Sequence, residues 1–172
     1  MATTHTEKMH LSLVGDREIL IERTFNAPRA AVFDAHVNCD HLKHWSGPRD
    51  YVVTSCDSDH RPGGTWRFIH RDAQGKEYAF RGTYKLLIRP QRIERTFEYE
   101  GWPGQVSQES LMLEETDGKT LLTARSQFDT PEARDATINS GMEQGAAESY
   151  DRLDDYLASL EQDAQLHRAS ER

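Results

Sequence analysis

The clearest pattern of apolar and polar positions lies near the end of the chain. Ile138, Met142, Ala146, Tyr150, Leu153, Leu157 and Leu160 recur at steps of three and four, the period of a helix with one buried face. Glu143, Glu148, Asp151, Arg152, Asp154 and Asp155 fall on the other side and face water. The pattern predicts one long helix over 131–160, with Thr130 as its cap and Pro131 in its first position. Gly141 and Gly145 stand inside it. Glycine costs a helix interior about 1 kcal/mol relative to alanine. The pair therefore needs a local reason, either close packing or room beside the helix for a ligand.

Upstream the period changes. Residues 17–25 alternate, with Ile19, Ile21 and Phe25 on one face, and predict a strand. Two short helices follow, over 28–37 after Asn26-Ala27-Pro28 and over 38–45 with Asn38 as a cap. Six further strands are predicted over 51–56, 65–71, 77–88, 92–100, 105–114 and 120–128, separated by short turns. Asp117-Gly118 is the strongest of these turn signals. Residues 1–15 read as a flexible arm, with Leu11, Leu13 and Val14 as a candidate strand end, and residues 161–172 as a frayed tail. The order β–αα–ββββββ–α predicts a single α+β domain over 16–160. In it a curved antiparallel meander, with the N-terminal strand added, wraps around the long helix.

Charge narrows the function. With 29 acidic against 21 basic residues the net charge is -8, which argues against general binding to nucleic acid or anionic membranes. No apolar run approaches the ~20 residues of a membrane span, and no secretory leader is evident at the N-terminus. A cytoplasmic protein is the expectation, with Cys39 and Cys56 as free thiols by default and a disulfide between them as the open alternative.

Several ordered stretches carry a resemblance to a known family. They are Arg23-Thr24-Phe25-Asn26-Ala27-Pro28, His44-Trp45-Ser46-Gly47-Pro48, Arg61-Pro62-Gly63-Gly64-Thr65-Trp66-Arg67-Phe68, Gly82-Thr83-Tyr84, and Gly141-Met142-Glu143-Gln144-Gly145 followed by Ser149-Tyr150-Asp151-Arg152-Leu153. The chain resembles the helix-grip fold of START domains, Bet v-type allergens and polyketide cyclases (the SRPBCC superfamily). Within it, the chain is most similar to the branch related to the activator of heat-shock-protein-90 ATPase. The resemblance implies an apolar cavity between sheet and helix that binds a small hydrophobic or aromatic molecule such as a lipid, flavonoid or polyketide. Its implied lining is Trp45, Trp66, Phe68, His70, Tyr78, Phe80, Gly82, Tyr84, Phe97 and Tyr99, with Met142, Gly145, Ala146 and Tyr150 from the helix. Gly82, Gly141 and Gly145 would leave volume that larger residues would fill.

Candidate chemistry beyond binding is sparse. His36, Cys39, Asp40, His41 and His44 are metal-capable types, but no second ligand pair stands at a zinc spacing, and no metal or cofactor is expected. No nucleophile elbow or phosphate loop is present. His36, His70, Arg95 and Glu109 could all reach a cavity. His70 is the one candidate for acid–base work, in an enzyme of the cyclase, dehydratase or hydrolase kind that superfamily members exemplify. A third reading is a chaperone-interaction domain acting through the acidic helix surface. Trp102, in the loop Gly101-Trp102-Pro103-Gly104, is a candidate for the edge or lid of a pocket. Both a monomer and a homodimer are compatible with the pattern.

Overall fold

Alternation in the sequence becomes one open, curved antiparallel sheet. The structure is a computed structural model that describes residues 5–6 and 8–171. Its strands are β1 (His5–Thr6), β2 (Met9–Val14), β3 (Glu18–Phe25), β4 (Val52–Ser58), β5 (Thr65–Arg71), β6 (Glu77–Ile88), β7 (Arg92–Tyr99), β8 (Val106–Thr116) and β9 (Lys119–Gln127). Their spatial order is β1-β2-β3-β9-β8-β7-β6-β5-β4. Strands β4 to β9 form the expected meander, and β3 pairs antiparallel with β9. At the Asp117-Gly118 turn both residues have positive φ, 54° and 77°, as a tight hairpin between right-twisted strands requires.

The helices are α1 (Arg29–Val37), α2 (Cys39–Leu42), α3 (Pro131–Asn139) and α4 (Met142–Ser170). Asn38 caps α2 through its side chain, which accepts from the Asp40 N–H. Thr130 caps α3 by accepting from the Ala133 N–H, with Pro131 in the first turn.

Four expectations are corrected. The helix over 131–160 is two helices, because Gly141 takes a left-handed φ of 86° after Ser140. A glycine in that conformation is the usual stop for a helix, and Asn139-Ser140-Gly141 carried that signal in the sequence. The arm expected over 1–15 contains a six-residue strand, β2, paired with β3 from Met9↔Arg23 to Val14↔Glu18. Met9 and Leu11 on β2 are buried against Ile19, Ile21 and Ala147. Residues 1–4 and 7 of that arm lie outside the described residues. The tail expected to fray from residue 161 continues as helix to Ser170. Finally, Cys39 and Cys56 form a disulfide between α2 and β4, their Cα atoms 5.8 Å apart. Oxidising surroundings favour such a bond, so free thiols are not the state this fold presents.

The main core lies where α1 and the middle of α4 meet the sheet. Val32, Phe33, Leu153 and Leu157 pack on Phe25, Trp66, Phe68, Tyr84, Ile93 and Leu122, all almost fully buried. Arg23 fixes β3 to α4: its side chain is fully buried, pairs with Asp151 at 2.8 Å and lies over the Phe25 ring. No helix among the described residues is long and apolar enough to cross a membrane.

Candidate functional site: a cavity between sheet and helices

Inward positions of the sheet that the α1/α4 core does not cover border empty space. One lobe, about 530 Å3, is walled by His70, Tyr78, Phe80, Phe97 and Tyr99 from β5 to β7, by Ala133, Ala136 and Thr137 from α3, and by Met142 and Gly145 from α4. A second lobe of about 320 Å3 shares His70, Phe80, Phe97, Glu109, Ser126, Met142 and Gly145 and runs on to His36, Trp45, Ala146 and Tyr150. Such volumes suit a small organic ligand. The exposed lining residues Trp102, Gln105, Ser140 and Gly141 mark the mouth, between the β7–β8 loop and the α3–α4 junction.

The glycines on the helix side explain why the space stays open. A Cβ on Gly141 would meet nothing within 4 Å, and one on Gly145 only the Pro48 ring at 3.4 Å. Gly82 is the opposite case and corrects the expectation that it opens volume. A Cβ there would lie 1.9 Å from the Thr96 carbonyl oxygen and 2.6 Å from Trp66 Nε1, so it is glycine because strand and indole pack onto it.

Ten of the fourteen residues expected at the site border one lobe or the other: Trp45, His70, Tyr78, Phe80, Phe97, Tyr99, Met142, Gly145, Ala146 and Tyr150. Trp66, Phe68, Gly82 and Tyr84 do not. Trp66 and Phe68 pack ring to ring at 4.6 Å within the core. The Tyr84 hydroxyl, fully enclosed, meets Ser58 Oγ at 2.8 Å. Trp102 stands at the mouth, 41% exposed, as a pocket-edge residue would.

The polar groups in the cavity are few. Arg95 and Glu109 sit opposite each other on β7 and β8, and Arg95 Nε donates to Glu109 Oε2 at 2.8 Å. The Arg95 guanidinium also lies 4.5 Å over the Trp66 ring. Burial opposes the charge on Arg95, but Glu109 and its other neighbours outweigh this and hold its pKa above the ordinary value. Ser126 of β9 continues the row, opposite Glu109. Both cavity histidines are neutral at physiological pH. Burial pushes His36 down to about 4 against the hydrogen bond from Nδ1 to the Val32 carbonyl. Burial, helped by Arg152, pushes His70 to about 4, and its Nε2 lies 3.0 Å from Ser46 Oγ. Burial raises the Tyr150 phenol well above its usual range, with Glu109 adding to the effect.

Some of these groups lay beyond sequence reasoning. The 46–51 loop is held over the cavity by Arg152, whose guanidinium donates to the carbonyls of Gly47 at 2.9 Å and Pro48 at 3.0 Å. In the sequence Arg152 read as a solvent-facing residue. Glu109 and Arg95 did carry a signal: they share strand parity with Leu111 and Phe97, so they are charges on an inward face. Ala133, Ala136 and Thr137 join the lining only because the helix breaks at Gly141. The metal-capable residues 36–44 diverge: His41 hydrogen-bonds Tyr156 at 2.6 Å, His44 stacks on the Tyr156 ring, and Cys39 is in the disulfide. No group of three metal-capable side chains converges among the described residues.

An open antiparallel sheet gripping a C-terminal helix across an apolar cavity defines the helix-grip class, to which START-like and Bet v-like proteins belong. Within that class the chain belongs to the family described as Activator of Hsp90 ATPase homolog 1-like protein, whose sequence pattern matches residues 26–158. A crystal structure of a Rhodobacter sphaeroides protein is 25% identical with a TM-score of 0.82, covering 89% of this chain and 99% of that one. A solution structure from Staphylococcus epidermidis is 27% identical with a TM-score of 0.74, covering 86% and 93%. A Silicibacter pomeroyi structure bearing the same family's name is 22% identical with a TM-score of 0.68, covering 82% and 97%. No curated protein matches the sequence.

Proposed function

We propose that the protein binds a small, largely apolar aromatic molecule in the cavity between sheet and helices. The observation that carries this reading is the unfilled space of about 530 Å3 walled by aromatic side chains on one side and by Gly141 and Gly145 on the other. A core that needed only to be solid would fill it, since interiors pack to crystal density. Family membership supports the reading. A cyclase-like reaction at His70 is less well supported. A general base works best with a pKa near the operating pH; His70 is held near 4, and its hydrogen-bond partner among the described residues is a serine hydroxyl. The acidic face of α4 adds no feature that favours a chaperone partner.

The test is an NMR titration with a panel of lipids, flavonoids and polyketide-like aromatics. Amides around Phe80, Phe97, Met142 and Gly145 are expected to shift, while those around Trp66 and Tyr84 stay in place. Gly145→Leu, which puts a side chain into the space, is expected to abolish the shifts while leaving the fold intact. A panel that moves no cavity amide rejects the reading.

A further inference from the structure

A buried ion pair such as Arg95–Glu109 adds little net stability over apolar residues in its place. Taking two charges out of water costs about as much as their attraction returns, and apolar residues of similar volume often serve stability as well. The pair is nonetheless placed on the inward face of β7 and β8, with side chains only 13% and 19% exposed, at the wall of the smaller lobe. It leaves specific atoms unused. Glu109 gives Oε2 to Arg95, while its Oε1 makes no hydrogen bond within the described residues and is not sealed off, in a residue that lines the lobe. The Tyr150 hydroxyl, across the same lobe on α4, likewise makes no hydrogen bond within the described residues and is not sealed from the cavity. Tyr150 stays protonated, because burial and then Glu109 raise its pKa.

An acceptor that is already half of an ion pair, facing a neutral hydroxyl donor, selects among ligand groups. A carboxylate would bring a second negative charge to Glu109 and find Arg95 already neutralised. An ammonium would meet Arg95. Among the other ionisable neighbours, His36 and His70 are neutral, Arg125 is paired with Glu18 at 2.8 Å, and buried Arg23, which also acts on Tyr150, is paired with Asp151 at 2.8 Å. A hydroxyl matches the chemistry of both open positions, as donor to Glu109 and acceptor from Tyr150. Building on the cavity-binding reading above, we propose that this end of the cavity receives the hydroxyl of a neutral hydroxyaromatic ligand, bound between the free Glu109 oxygen and the Tyr150 O–H. The aromatic body then lies against Phe80 and Phe97, toward the larger lobe.

Calorimetric titration of the whole protein at neutral pH with 2-naphthol, 2-naphthoate and naphthalene tests this. The three share one ring system and differ only in the polar group. The expected order is 2-naphthol about tenfold tighter than naphthalene, and 2-naphthoate weakest. Tyr150→Phe is expected to lower 2-naphthol affinity by roughly fivefold and leave naphthalene unchanged. Glu109→Gln frees Arg95 from its counter-ion, so the preference for 2-naphthol over 2-naphthoate is expected to fall by about tenfold or reverse. If naphthalene binds and 2-naphthoate equals or exceeds 2-naphthol in the unmodified protein, the hydroxyl assignment is wrong and the cavity reading stands. If none of the three binds, both are wrong. The comparison in the unmodified protein decides the matter even if a variant fails to fold.

Discussion

The two ends of β5 and β6 bury aromatic side chains from the same face of the same sheet, yet one end is solid and the other hollow. At the solid end Trp66, Phe68 and Tyr84 meet Leu153 and Leu157 of α4, and every one of them is at most 5% exposed. At the hollow end His70, Tyr78 and Phe80 face Met142 and Gly145, with about 530 Å3 left between sheet and helices. Composition on the sheet does not distinguish the two ends. The difference lies in what the helix presents: branched leucines in its middle, glycine and alanine in its first two turns. It also lies in the helix break at Ser140–Gly141, which turns α3 aside to form a further wall. An aromatic wall is core or binding surface according to its opposite partner.

Two glycine replacements should separate the regions most sharply. Gly82→Ala is expected to cost about 3 kcal/mol or more, or to prevent soluble folding, because its methyl would enter the Thr96 carbonyl and the Trp66 ring. Gly145→Ala has only an ordinary contact with Pro48 to absorb. It should gain roughly 0.5–1 kcal/mol from helix propensity. Urea unfolding of both variants checks this, and equal losses would erase the distinction between a packed and an open end.

Truncation gives the next largest contrast. Leu153→Ala is expected to cost about 3 kcal/mol, since the side chain is fully enclosed and its removal leaves a cavity. Met142→Ala, at the edge of existing space, should cost under about 1 kcal/mol. A Met142 variant as damaging as the Leu153 one would mean that the hollow end is tightly filled in solution.

Acid should weaken the fold through the neutral histidines. Their native pKa values, about 4, lie below the ordinary 6.5. Above pH 6.5 the contribution is fully present. As pH falls from there toward 4 the unfolded chain takes up protons that the native state refuses, and stability declines. The loss from fully enclosed His36 should be roughly 2–3 kcal/mol across that window, and that from His70, partly open to the cavity, smaller. Unfolding free energies measured between pH 7 and 4.5 should therefore fall. His36→Gln should flatten the slope more than His70→Gln does; a slope untouched by either variant would place both rings in water.

Much of this architecture was legible in advance, and the gaps have physical causes. Alternation is a local property, so the bounds of β5 and β6 match the pattern to the residue, and Phe97 and Tyr99 share one face in it as Tyr78 and Phe80 do; alternation alone does not say which face turns inward. Caps and tight turns are local too: Asn38, Thr130 and Asp117-Gly118 do what their chemistry suggests. The break at Gly141 was also written locally, in Asn139-Ser140-Gly141, but the apolar stripe from Ile138 to Met142 bridged it and masked the stop. β2 was underread because its polar surroundings resemble an arm until a partner strand satisfies its backbone.

By itself, then, the sequence determined the order from β3 to the C-terminal helical region, the alternation of residues within each strand, and family membership over residues 26–158. Only the tertiary structure decided which inward residues meet a partner and which meet space. Gly82 and Gly145 are the same residue type, and only non-local neighbours show that one is crowded by backbone and the other borders a void. The same holds for Cys39 and Cys56, joined because α2 folds against β4, and for Arg95 and Glu109, paired by strand register. Close packing, disulfide geometry and ion pairing depend on distances between segments far apart in the chain, and a local pattern carries no record of those distances.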